Sequence, residues 1–229
     1  MSVETHNVTV QGIGWLDGQT WGTVRHPMRV SYGGEAGVPP WKQADLFPGG
    51  VKNLGRFDRA TRMTIVACAL ALKDARLTAP EGLTGLVGTN ASGSLEANRA
   101  YFSDYLQAGR VLARGNLFIY TLPSSPLAET AIHFGLQGPL MYVGVTGGQV
   151  GDVLQAGVDL MDDGPAGMLV VRADETEGVA FLLGRAASGD KGARREMSVE
   201  RCRAALARVE QGLAAWVSVL ECAEKGSGG

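Results

Sequence analysis

The sequence predicts an α/β protein in which a mixed sheet is layered with helices. Three observations carry this expectation. Short apolar runs of strand length recur at 7–15, 83–87, 140–145, 167–172 and 178–184. Between and after them, 57–75, 149–161 and 196–223 carry apolar residues at three- and four-residue steps, the spacing of a helix with one buried face. The 33 glycines are spread along the chain and sit at many of these junctions, which fits tight turns and not a flexible linker.

Residues 7–15 read as a first strand containing Gly12 and Gly14. Residues 16–50 read as a long irregular loop with four prolines and exposed tryptophans, Trp21 and Trp41. Helix 57–75 is the clearest in the chain. Asp58 suits its N-cap, and Met63, Val66, Ala67, Leu70 and Ala71 keep helical period. A second helix is expected over 95–106. Residues 117–122 read as extended and lead to a helix over 127–134, with Ser125 as cap and Pro126 in its first turn.

The centre of the chain is 134–161. Gly138-Pro139 makes a turn, 140–145 suits a buried strand, Thr146-Gly147-Gly148 forms an elbow, and a helix runs from Gln149 to Met161. Such a strand-to-helix elbow is where many enzymes hold a nucleophile, yet here it contains neither Ser nor Cys. One long helix with Ser198 as cap, then a polar tail, is expected to pack on the remainder, dividing the chain into 1–190 and 191–229.

Bulk properties exclude several functions. At 229 residues with a formal charge of −2 and no basic run, nothing favours nucleic acid or an anionic membrane. No apolar run approaches the roughly 20 residues of a membrane helix, and the N-terminus has no signal-peptide pattern, so a cytoplasmic protein is expected. Three cysteines, Cys68, Cys202 and Cys222, have no metal spacing. Neither a P-loop nor a GxGxxG motif is present, and no cofactor or metal is expected. Ser124 and His133 have no catalytic partner signalled in the sequence. The acidic pairs around Asp162-Asp163 and Asp174-Glu175 read as solvated ends and loops.

Several stretches, in order, resemble the N-terminal half of a β-ketoacyl-acyl-carrier-protein synthase, of the thiolase-like fold. They are Gly12-Ile13-Gly14, Arg56-Phe57-Asp58-Arg59, the run 69–75, the strand 85–89, Ala131-Ile132-His133-Phe134-Gly135-Leu136-Gln137-Gly138-Pro139, Asp162-Asp163-Gly164 and the strand 168–172. The resemblance covers residues 7–184. In active members of that family the elbow cysteine lies eight residues after the proline of the Gly-Pro turn. Counted from Pro139, that position is Gly147, which cannot form a thioester. Some relatives carry glutamine there, and Gln149 is two residues out of register. The second half, with its two histidines, has no counterpart after Gly184.

The resemblance therefore implies a non-catalytic, chain-length-factor-like partner of an active ketosynthase in fatty acid or polyketide biosynthesis. It implies a homo- or heterodimer formed through Leu140, Met141, Tyr142, Val143 and Val145, with 117–121 and Gln149 beside them, and contact with an acyl carrier protein. The alternatives are a minimal acyl-thioester decarboxylase or acyltransferase using Gln149, Thr146 or His133, or a free-standing carrier-protein or acyl-chain binding module. Half a fold would also leave one face of helix 149–161 open, to be covered by the C-terminal helix or by another chain.

Overall fold

The computed structural model describes residues 8–32, 40–111, 114–144, 149–162, 164–185, 197–208 and 212–225. Strand β1 (Val8–Leu16) is almost wholly buried and forms a hairpin with β2 (Thr20–Thr23), which pairs with β3 (Met28–Ser31). Asp17 builds the first turn, because its carboxylate accepts from the N–H groups of Gln19 and Thr20 at 2.7 and 2.6 Å. This corrects the expectation of an irregular loop over 16–50. Its first part extends the sheet, and Trp21 is buried while Trp41 is half-buried. The part from Pro40 to Phe57 is irregular, with two 3-10 turns, Pro40–Lys42 and Leu54–Arg56.

Helix α1 (Arg59–Asp74) begins where the sequence places it. The Asp58 side chain caps it by accepting from the Thr61 N–H at 2.9 Å. Small residues let α1 lie directly on β1. A Cβ at Gly12 would stand 2.1 Å from the Ala71 carbonyl oxygen, and one at Gly14 would stand 2.4 Å from both the Ala71 nitrogen and Leu70 Cβ. Gly12-Ile13-Gly14 is thus a helix-packing motif. Gly14→Ala is expected to lower stability by about 2–3 kcal/mol in denaturant unfolding, since backbone must move; a loss below about 0.5 kcal/mol, the range of an ordinary surface change, would contradict this contact.

The chain continues through β4 (Thr84–Thr89), α2 (Leu95–Gln107), α3 (Gly115–Phe118), a 3-10 turn at Ile119–Thr121 and α4 (Ser125–Phe134). Residues expected to be extended, 117–122, are helical in large part. Ser125 does not cap α4: its hydroxyl donates to the Ile119 carbonyl, and Ser124 holds the cap position without a side-chain bond. Pro126 does occupy the first turn, and Gly135 ends the helix at φ 65°.

Then come β5 (Leu140–Tyr142), α5 (Val150–Met161), β6 (Gly167–Ala173), β7 (Gly178–Arg185), β8 (Met197–Ser198), α6 (Val199–Leu206) and α7 (Leu213–Lys225). The single final helix expected over 196–223 is therefore a strand residue pair and two helices. Ser198 caps the first, accepting from Arg201 N–H at 3.2 Å, and Gly212, at φ 144°, precedes the second.

The strands form one sheet in the order β3-β2-β1-β7-β6-β4-β5, with β8 pairing β1. β4 runs parallel to both β5 and β6, and the other neighbouring pairs are antiparallel. Alternation along β6 sorts the faces: Leu169 and Val171 join the core under α1 and α4, whereas Met168 and Val170 join the core under α5, α6 and α7. The open face of α5 is covered from within the chain. α6 packs on α5, and Cys202, Leu206, Trp216, Val217 and Leu220 are buried in the same core as Val153 and Leu154. Each large apolar side chain enclosed this way contributes about 1.5–3 kcal/mol.

Candidate functional site

The parallel strands β5, β4 and β6 end along one edge of the sheet. In open α/β sheets the carboxyl ends of such strands frame the ligand crevice. Here they deliver three segments from distant parts of the chain. Asn90 follows β4, Tyr142 closes β5, and Asp174 follows β6. The Tyr142 hydroxyl donates to Asn90 Oδ1 at 3.2 Å, and the Ala91 N–H donates to Asp174 Oδ1 at 3.0 Å. Burial holds the Tyr142 phenol above its ordinary pKa of 10.0, so it stays protonated and acts as a donor.

Arg172 ties this edge to the C-terminal helices. Its side chain is buried, bonds Asp174 at 2.8 Å and Glu177 at 2.6 Å, and stacks over the Trp216 ring at 4.8 Å. Asp174 and Glu177 of the acidic cluster are accordingly the counter-charges for a buried guanidinium. Sequence reasoning missed Asn90, Arg172 and Trp216 as one group. They lie on separate elements, and no local pattern joins them.

Gly147, Thr146 and Val145 lie outside the described residues. Gln149 holds the N-cap position of α5, is exposed, and makes no side-chain cap bond. It lines a cleft of about 370 Å³ with Arg203 and Trp216. His133 is on the opposite side of the sheet, packed edge-on against Phe47 and Phe134 with ring centroids 5.6 and 4.7 Å away. The structure does not bring His133 and Gln149 together.

The residues expected at a partner interface divide in two. Leu140 and Met141 are 42% and 38% exposed, while Tyr142 and Val143 are half-buried. The apolar run at 140–145 was expected to form a buried strand, and this is corrected. β5 is the terminal strand of the sheet, paired only with β4 among the described residues. Beside it, α4 packs on β5, the 3-10 turn packs on α4, and α2 and α3 pack on that turn. This group exposes Phe102, Phe118, Ile119 and Leu122. α2 has no buried residue along its whole length.

Neither buried cysteine is an activated thiol. Cys68 in α1 and Cys202 in α6 are buried, and burial raises both thiol pKa values, that of Cys202 to about 12. A thiol reagent is expected to modify the exposed Cys222 rapidly and the other two only after unfolding; fast labelling of Cys68 in the folded chain would contradict the core packing. No group of three His, Cys, Asp or Glu among the described residues could hold a metal. Nor is any described helix long and apolar enough to cross a membrane.

Neither a family model nor a curated protein sequence matches the chain. Solved structures do. The chain is similar to the ishigamide ketosynthase/chain length factor, with a TM-score of 0.54 and 18% identity, covering 80% of this chain and 63% of that one. It is also similar to a β-ketoacyl synthase from Burkholderia phymatum STM815, with a TM-score of 0.52 and 13% identity, covering 79% of this chain and 59% of that one. The chain thus spans less than two thirds of the length of either. The fold is the α/β, thiolase-like fold of the ketosynthases, a mixed sheet between two helical layers.

Proposed function

We propose that the chain is a non-catalytic, ketosynthase-like subunit that pairs with an active ketosynthase in fatty acid or polyketide biosynthesis, as a chain length factor does. The observation that carries the reading is the open sheet edge. Leu140 and Met141 on β5 are exposed, and an unpaired strand edge with apolar side chains is a template for another chain. The neighbouring α2 buries none of its residues although it exposes Leu95, Phe102 and Leu106. Exposed large apolar side chains of this kind are what an interaction site presents.

Chemistry points the same way. By sequence, the nucleophile position of the ketosynthase elbow is Gly147, and the thiols of Cys68 and Cys202 are buried. A subunit of this kind contributes a surface: it completes the dimer, shapes the acyl tunnel and meets the acyl carrier protein. Co-expression with a ketosynthase of the same organism is expected to yield a stable complex, and the chain alone is expected to turn over no malonyl thioester. Decarboxylation by the chain alone, lost in Gln149→Ala, would replace this reading by that of a minimal acyl-thioester decarboxylase.

A further inference from the structure

A cleft lies on the face away from the C-terminal helices, between the irregular segment 46–57 and the end of α4. Its volume is about 600 Å³, within the roughly 300–1,000 Å³ that small-molecule sites occupy. Nothing in the dimer reading makes use of it. Its walls are largely apolar and aromatic: Phe47 and Phe57, both buried, face Ile132 and Phe134 of α4.

A few polar groups converge on these walls. The charged groups facing the cleft are Lys52, Arg56 and Glu129. Arg56 and the buried Glu129 form an ion pair at 3.7 Å and largely cancel. Lys52 makes no ion pair among the described residues, so the cleft has one uncompensated positive charge. His133, half-buried, is the remaining titratable group on the lining. Burial holds its pKa below the ordinary 6.5, so at pH 7 the ring is neutral and offers one N–H donor.

We propose that this cleft binds a compact apolar monocarboxylate, its body against Phe47, Phe57 and Phe134 and its carboxylate between Lys52 and His133. A cationic ligand is disfavoured, because the one acidic group present is already paired. A phosphate or other multiply charged anion is disfavoured as well, because a single free cation and apolar walls would leave it poorly solvated. A carboxylate beside the imidazole stabilises its protonated form, so occupancy raises the His133 pKa.

The test uses the full chain without any synthase, so its failure and the failure of the pairing reading are separate results. The isotope-labelled protein is titrated with 3-phenylpropionate and, in parallel, with 3-phenylpropanamide, while the His133 ring and the Ile132 methyl are followed by NMR. The acid is expected to give a saturable perturbation at both residues and an upward shift of the His133 pKa. It is expected to bind about tenfold more tightly than the amide, the increment of one charge-assisted hydrogen bond. Lys52→Ser is expected to remove that advantage and leave amide binding unchanged, while Lys52→Arg keeps it. No saturable perturbation, equal binding of acid and amide, or perturbation centred away from the cleft would each overturn the proposal.

Discussion

Replacing Asp74 by alanine is expected to cost the fold about 3–5 kcal/mol. Asp74 is the last residue of α1 and is 1% exposed. Its carboxylate accepts three backbone N–H groups: Ile13 at 2.7 Å, Arg25 at 3.0 Å and His26 at 2.7 Å. These bonds fasten the segment after β2 and the middle of β1, at Ile13, to the helix. A bulge in β1 lies between Val10 and Gly12, and the Arg25 side chain donates to the carbonyls of Val10 and Gln11 there at 2.9 and 3.0 Å. Removing the carboxylate leaves the buried Ile13 N–H and the part-buried N–H groups of Arg25 and His26 without their acceptor, which is costlier than the loss of an exposed contact. Asp74→Asn keeps one acceptor but turns an NH₂ group toward an N–H, so it is expected to lie between alanine and wild type. Denaturant midpoints measure both. A loss under about 1 kcal/mol for Asp74→Ala would mean that the segment is held elsewhere.

The double substitution Leu140→Asp and Met141→Lys is expected to abolish pairing with a ketosynthase while leaving the isolated chain folded. Both side chains are exposed on the terminal strand, so the monomer loses little. In a complex they would be covered, and a charge buried without a partner costs about 3–5 kcal/mol, more than a hundredfold in Kd. Association measured by light scattering, with thermal melts of each protein alone, checks both halves of the expectation. Unchanged pairing would move the interface off β5, and the exposed apolar face of α2 would be the next surface to alter.

Much of this architecture was legible in the sequence because it rests on local chemistry. The Asp58 cap and the apolar period of 57–75 specify α1 almost to the residue, and the runs at 167–172 and 178–184 are β6 and β7. The elements that were misread depend on distant partners. β2 and β3 are only four residues each, and their register comes from β1, so Trp21 looked like a surface loop residue although it joins the core. At the C-terminus, apolar spacing runs on through Gly212 as though one helix were present. Only pairing of Met197 and Ser198 with β1 shows where the chain begins to pack. In the same way 140–145 has the composition of a buried strand, and the exposure of Leu140 and Met141 follows from the place of β5 at the end of the sheet order.

The candidate site was legible in outline and not in detail. The order of turn, strand, elbow and helix points to the carboxyl edge of the sheet, and the assignment of Leu140 and Met141 to an interface rests in the sequence on resemblance alone. Of the contacts that organise this edge, that of Tyr142 with Asn90 spans 52 positions and that of Arg172 with Trp216 joins a strand to a distant helix. Asp74 gave no signal either, since an acidic residue at a helix end usually faces solvent and only the returning β1 and β2 bury it.

The central claim is that this chain pairs with an active synthase, and its most direct test is molar mass in solution. The purified chain would be measured alone and mixed with each ketosynthase of its own organism. A 1:1 heterodimer with one of them, absent for the Leu140→Asp, Met141→Lys variant, is the expected result. A chain that keeps the same mass in every mixture, while each synthase remains paired with itself, would contradict it.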